Sequence, residues 1–397
     1  MMFDRSINDS VVTKLRRQVD DKMKNRVTPY LTIDLDIIRE KYKTLRTSMP
    51  KVACYYSVKS NPLVEIIKTL LAEGANFEAA SIGEIEICLA VGVKSENIHY
   101  GNSVKAQSSI DKAIKFGVSS FAFDCEEELA KLQRSVGDGA TLVCRLTTDG
   151  EGATWGLCNK FGCDVAMAKS LLRSASKLGK YKLGLSFHVG SQQCSPDAWR
   201  RALMDVRAII DELEQENIVI GLINVGGGFP ASGYLDIEHE VITYDTKAYF
   251  KQINDLITNI LGARVSKLMC EPGRYILSEA GSITTSVILV TDRHYKNSAC
   301  RWLYLDIGKF NGLYEGTDIV HPVTIPSIGG ELVDTILSGP SCDSDDMLMC
   351  GDKPYRLPGS ICTGDELVIG CTGAYSTSYM TCGFNGFAPL DVYYKNK

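Results

Sequence analysis

The strongest constraint on this chain is a regular alternation of strand and helix patterns between residues 52 and 271. Runs rich in apolar residues, typical of buried strands, occur at 52–58, 76–79, 98–100, 120–123, 141–146, 183–188, 219–225 and 267–271. Apolar residues at helical spacing separate them at 63–73, 81–91, 106–116, 126–133, 164–178, 197–216 and 246–261. This alternation predicts a TIM-type (β/α)₈ barrel, and a doubly wound open sheet is the alternative.

Polar residues or glycines close most of these strand patterns, and their placement helps to separate the two architectures. They are Lys59, Glu78, Arg145, His188, Gly226 and Glu271. In a barrel the carboxyl ends of the strands converge on one rim, where barrel enzymes build their active sites. The pattern therefore favours the barrel and predicts a functional site at this rim.

The character of the sequence changes after about residue 276. Short β-rich runs separated by Gly, Pro and Asp predict an all-β domain, with residues 29–33 as an additional strand. The predicted organisation is an N-terminal arm and β-domain strand over 1–32, a barrel over 33–275 and a β domain over 276–397. The barrel is thus inserted into the sequence of the β domain, and residues 1–26 are predicted to be a charged arm or amphipathic helix.

Composition argues against several classes of protein. The 397 residues carry a formal net charge of −5, and no apolar run approaches the roughly 18 residues of a membrane span. Neither nucleic-acid binding nor membrane binding is therefore predicted. The 14 cysteines include no CxxC pair, so we predict no metal site and expect reduced thiols in a cytoplasmic protein.

Two strand ends carry residues suited to covalent or proton-transfer chemistry. A lysine at the mouth of a core strand, such as Lys59, has its stem in apolar surroundings, and desolvation favours the neutral amine that attacks a carbonyl. The alternative is a strand-end lysine that extends into solvent. His188 could stack on a planar cofactor, transfer a proton or hold a hydrogen-bond network.

Two further strand ends carry residues suited to an anion. Gly226, Gly227 and Gly228 permit close approach of the backbone and direct N–H groups into a nest that suits a phosphate, or they form a plain turn. Glu271 could pair with a protonated ring nitrogen, and Arg274 could bind the same phosphate. A structural ion pair between these last two residues is the alternative.

Seven segments occur in one order: YYSVKSNP, FEAASIGEIE, FHVGSQ, VGGGFP, EPGRY, GPSCDSDDML and GAYSTSYMTCGFNGF. From about residue 28 onward the chain closely resembles the fold-type III pyridoxal-phosphate (PLP) decarboxylases, the family that acts on ornithine, lysine, arginine and diaminopimelate. The resemblance implies an alanine racemase/ornithine decarboxylase-like fold, in which a PLP-binding barrel is joined to a β domain.

The resemblance also implies a role for each matching residue. Lys59 resembles the Schiff-base lysine, Glu271 the acid that faces the pyridine nitrogen, and His188 the histidine that stacks on the ring. The other implied cofactor-binding residues are Glu78, Arg145, Ser191, Gly226, Gly227, Gly228, Gly273, Arg274 and Tyr375. At the position of Glu78 the eukaryotic enzymes usually carry aspartate.

Cys342 and Asp343 resemble a segment that, in this family, crosses a homodimer interface into the partner's site. There Cys342 would protonate the substrate carbon after CO₂ leaves, and Asp343 would bind the distal amine of the substrate. From the residues alone, a surface acidic turn with an incidental thiol is the alternative. Glu315 and Asp318, in a segment expected to be helical, are further candidates for binding the substrate, as is Tyr375.

The segments CDSDD and GKFNGLYE favour a basic substrate and resemble the bacterial lysine/ornithine decarboxylases. Ornithine or lysine is therefore expected first and arginine next, with a polyamine-type diamine as product. Diaminopimelate or a specialised-metabolite amino acid remains an alternative. Two other hypotheses are an inactive binding protein of the antizyme-inhibitor kind and a PLP racemase, which would lack the GPSCDSDD segment.

Overall fold

The computed structural model describes residues 26–156, 159–236, 238–296, 298–316, 318–325, 329–349 and 353–396. The arm predicted over residues 1–26 lies almost wholly outside them. The chain divides into two compact units. The barrel unit comprises Arg39–Pro230 and Asp245–Gly273, and the sheet unit comprises the chain up to Ile38, Ala231–Tyr244 and the chain from Arg274 onward.

In chain order the strands are β1 (Tyr30–Asp34), β2 (Val52–Ser57), β3 (Asn76–Ala79), β4 (Ile98–Tyr100), β5 (Ser120–Phe123), β6 (Thr141–Arg145), β7 (Ala153–Trp155), β8 (Lys182–Ser186), β9 (Ser191–Gln193), β10 (Ile220–Asn224), β11 (Lys267–Cys270), β12 (Gly281–Tyr295), β13 (Ser298–Leu305), β14 (Val323–Thr324), β15 (Leu332–Ser338), β16 (Met347–Leu348), β17 (Tyr355–Pro358), β18 (Glu366–Gly370) and β19 (Asp391–Lys395). The helices are α1 (Leu35–Ser48), α2 (Val64–Ala72), α3 (Ile82–Ala90), α4 (Gln107–Lys115), α5 (Glu126–Ser135), α6 (Val165–Ser176), α7 (Asp197–Gln215), α8 (Thr246–Leu261) and α9 (Arg274–Leu277).

Within the described part of the chain, eight parallel strands close into a barrel in the order β2, β3, β4, β5, β6, β8, β10, β11. Pairing of β11 with β2 completes the ring. Tyr55, Val143, Leu222 and Met269 form a buried cluster from four of these strands. The predicted (β/α)₈ barrel is confirmed, because each apolar pattern lies on a barrel strand with bounds close to those expected.

The helices of the barrel unit follow from amphipathic spacing and capping. In α7 the buried residues Trp199, Leu203 and Val206 recur every three or four positions and form one apolar face. The side chain of Asp164 caps α6 by accepting the N–H of Met167. None of the helices in the described ranges combines the length and the apolar character that a bilayer crossing requires.

The sheet unit contains, among its described residues, a nine-stranded sheet of β1 and β12 to β19. The long strand β12 pairs with β1 and β18 along its first part and with β13 along its second. β1 runs antiparallel to β12 and parallel to β19, so the strand expected at residues 29–33 does lie in the C-terminal sheet. The predicted all-β architecture of this part of the chain is thereby confirmed.

One local expectation is wrong: the described residues of segment 308–318 form consecutive turns and no helix. The N–H of Gly308 donates to Oδ1 of Asn311 at 2.6 Å, and the N–H of Leu313 donates to the carbonyl of Gly308 at 3.0 Å. At Gly308 a Cβ would lie 2.2 Å from Oδ1 of Asp346. Local bonds from side chain to backbone thus replace the helical ladder.

Candidate active site

Lys59 follows the end of β2 at Ser57 and lies in the 3₁₀ turn Val58–Ser60. It is exposed, although the residues on either side of it are buried. The desolvated setting expected for its amine is therefore not what the structure shows, since Lys59 lies in the turn beyond the end of the strand. After burial, the positive charge of Lys59 contributes to the lowered pKa of His188, and it partly opposes the raised pKa of Glu271, so the lysine belongs to the same rim.

Glu271 directly follows β11 at the rim. Nδ2 of Asn224 donates to its Oε1 at 2.6 Å. Burial, followed by the negative charge of Glu78, raises the pKa of Glu271 to about 7, although Asn224, Lys59 and Arg145 act in the opposite direction. A carboxyl group in this state becomes ionised readily when a cation, such as a protonated ring nitrogen, lies beside it.

Glu78 is buried on β3, and its carboxylate lies beside Ser57 and Gly101. Oγ of Ser57 donates to its Oε2 at 2.5 Å. Gly101 lies just after β4, where a Cβ would be 2.4 Å from Oε1 of Glu78. The hydroxyl group and the glycine therefore accommodate a glutamate at the position where eukaryotic relatives were expected to have the shorter aspartate.

His188 is held in one orientation and one protonation state. The N–H of Gly190 donates to its Nδ1 at 3.1 Å, which assigns the ring proton to Nε2. Oγ1 of Thr148 donates to the carbonyl of His188 at 2.7 Å. Burial, followed by the charges of Lys59 and Arg145, lowers the pKa of His188 well below its ordinary value. A neutral, fixed imidazole of this kind is suited to stacking on a planar cofactor.

His99 on β4 is a neighbour of the site that sequence reasoning missed. Its Nε2 lies 3.9 Å from Oε1 of Glu271, and its Nδ1 lies 2.8 Å from Oγ of Ser120. Burial, followed by the charges of Lys105 and Lys267, lowers the pKa of His99 to about 3, so the ring is neutral. The available signal was a single imidazole inside a strand pattern that is buried throughout.

The glycines after β10 are required first by packing of the rim itself. A Cβ at Gly226 would lie 2.1 Å from the carbonyl oxygen of Phe187, and one at Gly228 would lie 2.0 Å from that of Gly190. Both glycines have positive φ angles, of 68° and 94°. Close approach of neighbouring strand ends, and not only of a ligand, therefore explains why side chains are excluded here.

In the described part of the chain, the backbone N–H of Gly226 has a hydrogen-bond acceptor, whereas those of Gly227 and Gly228 have none. The N–H of Gly226 donates to Oδ1 of Asn224 at 3.0 Å. Among the residues that the structure describes, no acceptor takes the N–H of Gly227 or of Gly228. Two adjacent amide donors without a protein partner are what a phosphate cradle requires.

Three other predicted residues also lie at the ends of barrel strands or in the loops that follow them. Arg145 ends β6, with its guanidinium carbon 5.2 Å from the centre of the Phe161 ring. Ser191 begins β9, which pairs with β7. Gly273 lies after β11, where a Cβ would be 2.9 Å from Cβ of Ser60. The barrel unit therefore supplies most of the predicted cofactor-binding set.

In the sheet unit, Arg274 is buried and forms a bidentate pair with Glu315. The distances are 2.6 Å from Nη1 to Oε2 and 2.8 Å from Nη2 to Oε1. The guanidinium also lies over the ring of Tyr375, 4.6 Å from its centre, and Nη1 is 3.4 Å from the hydroxyl group of Tyr234. The structure thus pairs Arg274, which was expected to bind the cofactor phosphate, with Glu315, which was expected to bind the substrate. The third acid candidate, Asp318, is exposed.

Cys342 and Asp343 are both exposed, in a loop of the sheet unit that we call the thiol loop, residues 339–346. Asp346 holds this loop through hydrogen bonds to backbone N–H groups. Its buried carboxylate accepts the N–H of Lys309 at 2.7 Å and that of Ser341 at 3.0 Å. Of the acids in this segment, Asp346 therefore has a structural role, whereas Asp343 is exposed and its Oδ1 accepts the N–H of Asp345 at 2.9 Å.

The barrel, the sheet domain and the residues at the rim are those expected of a pyridoxal-phosphate enzyme, and two family models match the chain. The pyridoxal-binding domain of pyridoxal-dependent decarboxylases matches residues 35–278, and their C-terminal sheet domain matches residues 274–373. The chain belongs to this family. It is a PLP-dependent decarboxylase of the group that acts on basic amino acids.

Similar proteins include both lysine/ornithine decarboxylases and an antizyme inhibitor. A lysine/ornithine decarboxylase of Selenomonas ruminantium is 32% identical over 382 residues, which cover 95% of this chain and 92% of the relative. Antizyme inhibitor 2 of Xenopus laevis is also 32% identical, over 378 residues that cover 90% and 79%. The solved structure of a Vibrio vulnificus lysine/ornithine decarboxylase with cadaverine has a TM-score of 0.81 and 29% identity, covering 93% of each chain.

The residues of the barrel unit fit the family's cofactor, pyridoxal 5′-phosphate. The unpaired amides of Gly227 and Gly228 suit its phosphate, and Glu271 suits its ring nitrogen. The neutral ring of His188 suits its planar face. Lys59, exposed at the same rim, offers the amine that would hold its aldehyde carbon.

Proposed function

We propose that this enzyme decarboxylates L-ornithine or L-lysine to the corresponding diamine, and so supplies polyamine synthesis. The observation that carries the proposal is the exposed Asp343, which directly follows Cys342 in the thiol loop. A carboxylate next to a proton donor suits a substrate with a second ammonium group. The lysine/ornithine decarboxylases among the relatives support the same substrate class.

The cofactor supplies an electron sink for the bond that breaks when CO₂ leaves. In our proposal Lys59 would hold the cofactor through its amine, and Glu271 would face the ring nitrogen and favour its protonated form. Asp343 binds the distal ammonium group, with Glu315, Asp318 and Tyr375 as further contacts. Cys342 then donates its proton to the substrate's α-carbon.

A CO₂-release assay on the PLP-loaded protein tests the substrate. We expect the highest kcat/KM with L-ornithine or L-lysine, because both present a distal ammonium group to the acids, whereas arginine is longer and diaminopimelate carries a second carboxylate that the acids would repel. Arginine, diaminopimelate and the D-isomers serve as comparison substrates. A higher kcat/KM with any of these would contradict the proposed substrate.

One relative, antizyme inhibitor 2, motivates a second candidate, a binding protein without turnover. The presence of both Lys59 and Cys342 argues for the enzyme. Failure to release CO₂ from any of these amino acids, in protein shown by absorbance to contain PLP, would favour the binding protein instead.

We also propose a homodimer in which the thiol loop of one protomer completes the site of the other. An equal mixture of Lys59→Ala and Cys342→Ala chains, after dissociation and reassociation, should recover about a quarter of wild-type activity, because half of the dimers then carry one intact site. Each variant alone serves as the control. No gain on mixing, with mixed dimers confirmed by native mass spectrometry, would rule out the shared site.

A cytoplasmic location is part of the same proposal. Every cysteine that the structure describes is a free thiol, as expected in a reducing compartment.

A further inference from the structure

The backbone of Cys342 is held by a residue far away in the sequence. Its N–H donates to Oδ1 of Asn385 at 2.9 Å. Both residues are exposed and belong to the sheet unit. Asp346 already holds the N–H of Ser341, the preceding residue, so the bond to Asn385 adds a second contact at Cys342 itself.

Asn385 is itself held in an unusual backbone conformation. Its φ angle of 49° and ψ angle of 17° lie in the left-handed region, which asparagine tolerates better than other residues with a Cβ. Gly383 and Gly386 on either side also have positive φ angles, of 82° and 80°. The turn therefore directs a short amide side chain outward at a defined position.

The turn is also fixed against a third loop of the sheet unit. The ring of Phe384 packs on that of Phe310, with the centres 4.9 Å apart. The N–H and hydroxyl groups of Thr381 both donate to the carbonyl of Phe310, at 2.8 and 2.9 Å. The turn that carries Asn385 is thus held in place by its contacts with Phe310.

We propose that Asn385 is a positioning residue for Cys342, which orients the thiol loop so that proton donation reaches the α-carbon. The inference rests on the proposed role of Cys342. It adds a residue that acts through the backbone of the thiol loop.

The first test measures the contact itself, in cofactor-free protein. Asn385→Gly keeps the left-handed backbone and removes the acceptor, whereas Asn385→Asp keeps both. Hydrogen–deuterium exchange of the Cys342 amide should become about fivefold faster in Asn385→Gly, the effect of one lost hydrogen bond, and stay near wild type in Asn385→Asp. Unchanged exchange in Asn385→Gly would overturn the proposal.

Asn217→Gly is the matched control, because Asn217 also has a left-handed backbone, with φ of 59°, and lies before β10 at the opposite end of the barrel strands. It should leave exchange at Cys342 unchanged. Faster exchange throughout the sheet unit in Asn385→Gly would indicate a merely structural role and also overturn the proposal.

The second test measures where the proton goes. In Asn385→Gly the ratio of diamine formed to CO₂ released should fall below that of wild type, and Asn385→Asp should restore it. An aldehyde would take the place of the missing diamine: the proton would go to the cofactor carbon bonded to the nitrogen, water would supply the aldehyde oxygen, and the nitrogen would stay with the cofactor as an amine. An unchanged ratio would contradict the positioning role. Absence of CO₂ release from wild type would refute the proposed function, while the exchange experiment still decides whether Asn385 holds Cys342.

Discussion

Replacement of Lys59 by alanine is expected to lower kcat by roughly 10⁴-fold or more, because the amine that would hold the cofactor's aldehyde carbon is lost. The loss should be chemical and not structural. Lys59 is exposed, so its removal leaves no cavity, and the free energy of unfolding should change by no more than about 0.5 kcal/mol. CO₂ release measures the first effect, and denaturant unfolding measures the second.

Borohydride reduction gives an independent readout of the same lysine. In wild-type protein the reduced cofactor should remain on the peptide that contains Lys59, and in Lys59→Ala it should be absent. Lys51→Ala is the matched control, since Lys51 is an exposed lysine just before β2. A Lys59→Ala protein that turns over like wild type, or a label found on another peptide, would contradict the assignment.

Replacement of Glu271 by glutamine is expected to lower kcat by roughly 10²–10³-fold, a magnitude typical of losing one preorganised electrostatic group. The glutamine keeps a polar group for Asn224 but cannot carry the negative charge that balances a protonated ring nitrogen. Cofactor binding should persist, because the phosphate cradle is unchanged. PLP absorbance and CO₂ release together separate the two effects.

The pKa of Glu271 adds a prediction about stability in the cofactor-free protein. Its folded-state pKa of about 7 lies above the ordinary value of 4.5. Below pH 4.5 the carboxyl group is protonated in both states and has no effect. As the pH rises toward 7 the unfolded chain releases its proton first, so this group lowers the free energy of unfolding by up to about 3 kcal/mol.

Cofactor-free Glu271→Gln should therefore be as stable as wild type near pH 4 and more stable near pH 8, as measured by denaturant unfolding. Glu84→Gln is an informative comparison. Burial, followed by the charge of Glu78, also raises the pKa of Glu84 to about 7, but its carboxylate accepts the N–H of Ala80 at the start of α3. We expect Glu84→Gln to show a pH-dependent gain in stability with little change in kcat. Equal stability of Glu271→Gln and wild type at pH 8 would contradict the raised pKa.

The barrel could be predicted from the sequence because its strands are buried on both faces and read as continuous apolar runs. The rim followed from the same runs, since a polar residue at each strand end has a defined place in a barrel. This reasoning identified Glu271 and His188 before any distance was known. It could not reveal that Lys59 is exposed, because that depends on where β2 stops pairing.

Contacts between distant segments were beyond the sequence. Arg274 and Glu315 are separated by 41 positions, and only the folded sheet unit brings them within 2.6 Å. His99 was missed because a histidine inside a short strand pattern carries no signal of what it faces. The glycines after β10 were interpreted through a ligand, whereas the structure shows that the carbonyl groups of neighbouring strand ends already exclude a Cβ.

The position of β1 has a consequence for biosynthesis. Tyr30–Asp34 leaves the ribosome early, yet its two partners in the sheet are Gly281–Tyr295 and Asp391–Lys395. The sheet therefore cannot be completed until residues 391–395 have been made, and the β19 edge of β1 must stay unpaired after β12 has been made. A nascent or truncated chain that lacks β19 would present this edge to other chains, so pairing with β19 protects against aggregation during synthesis.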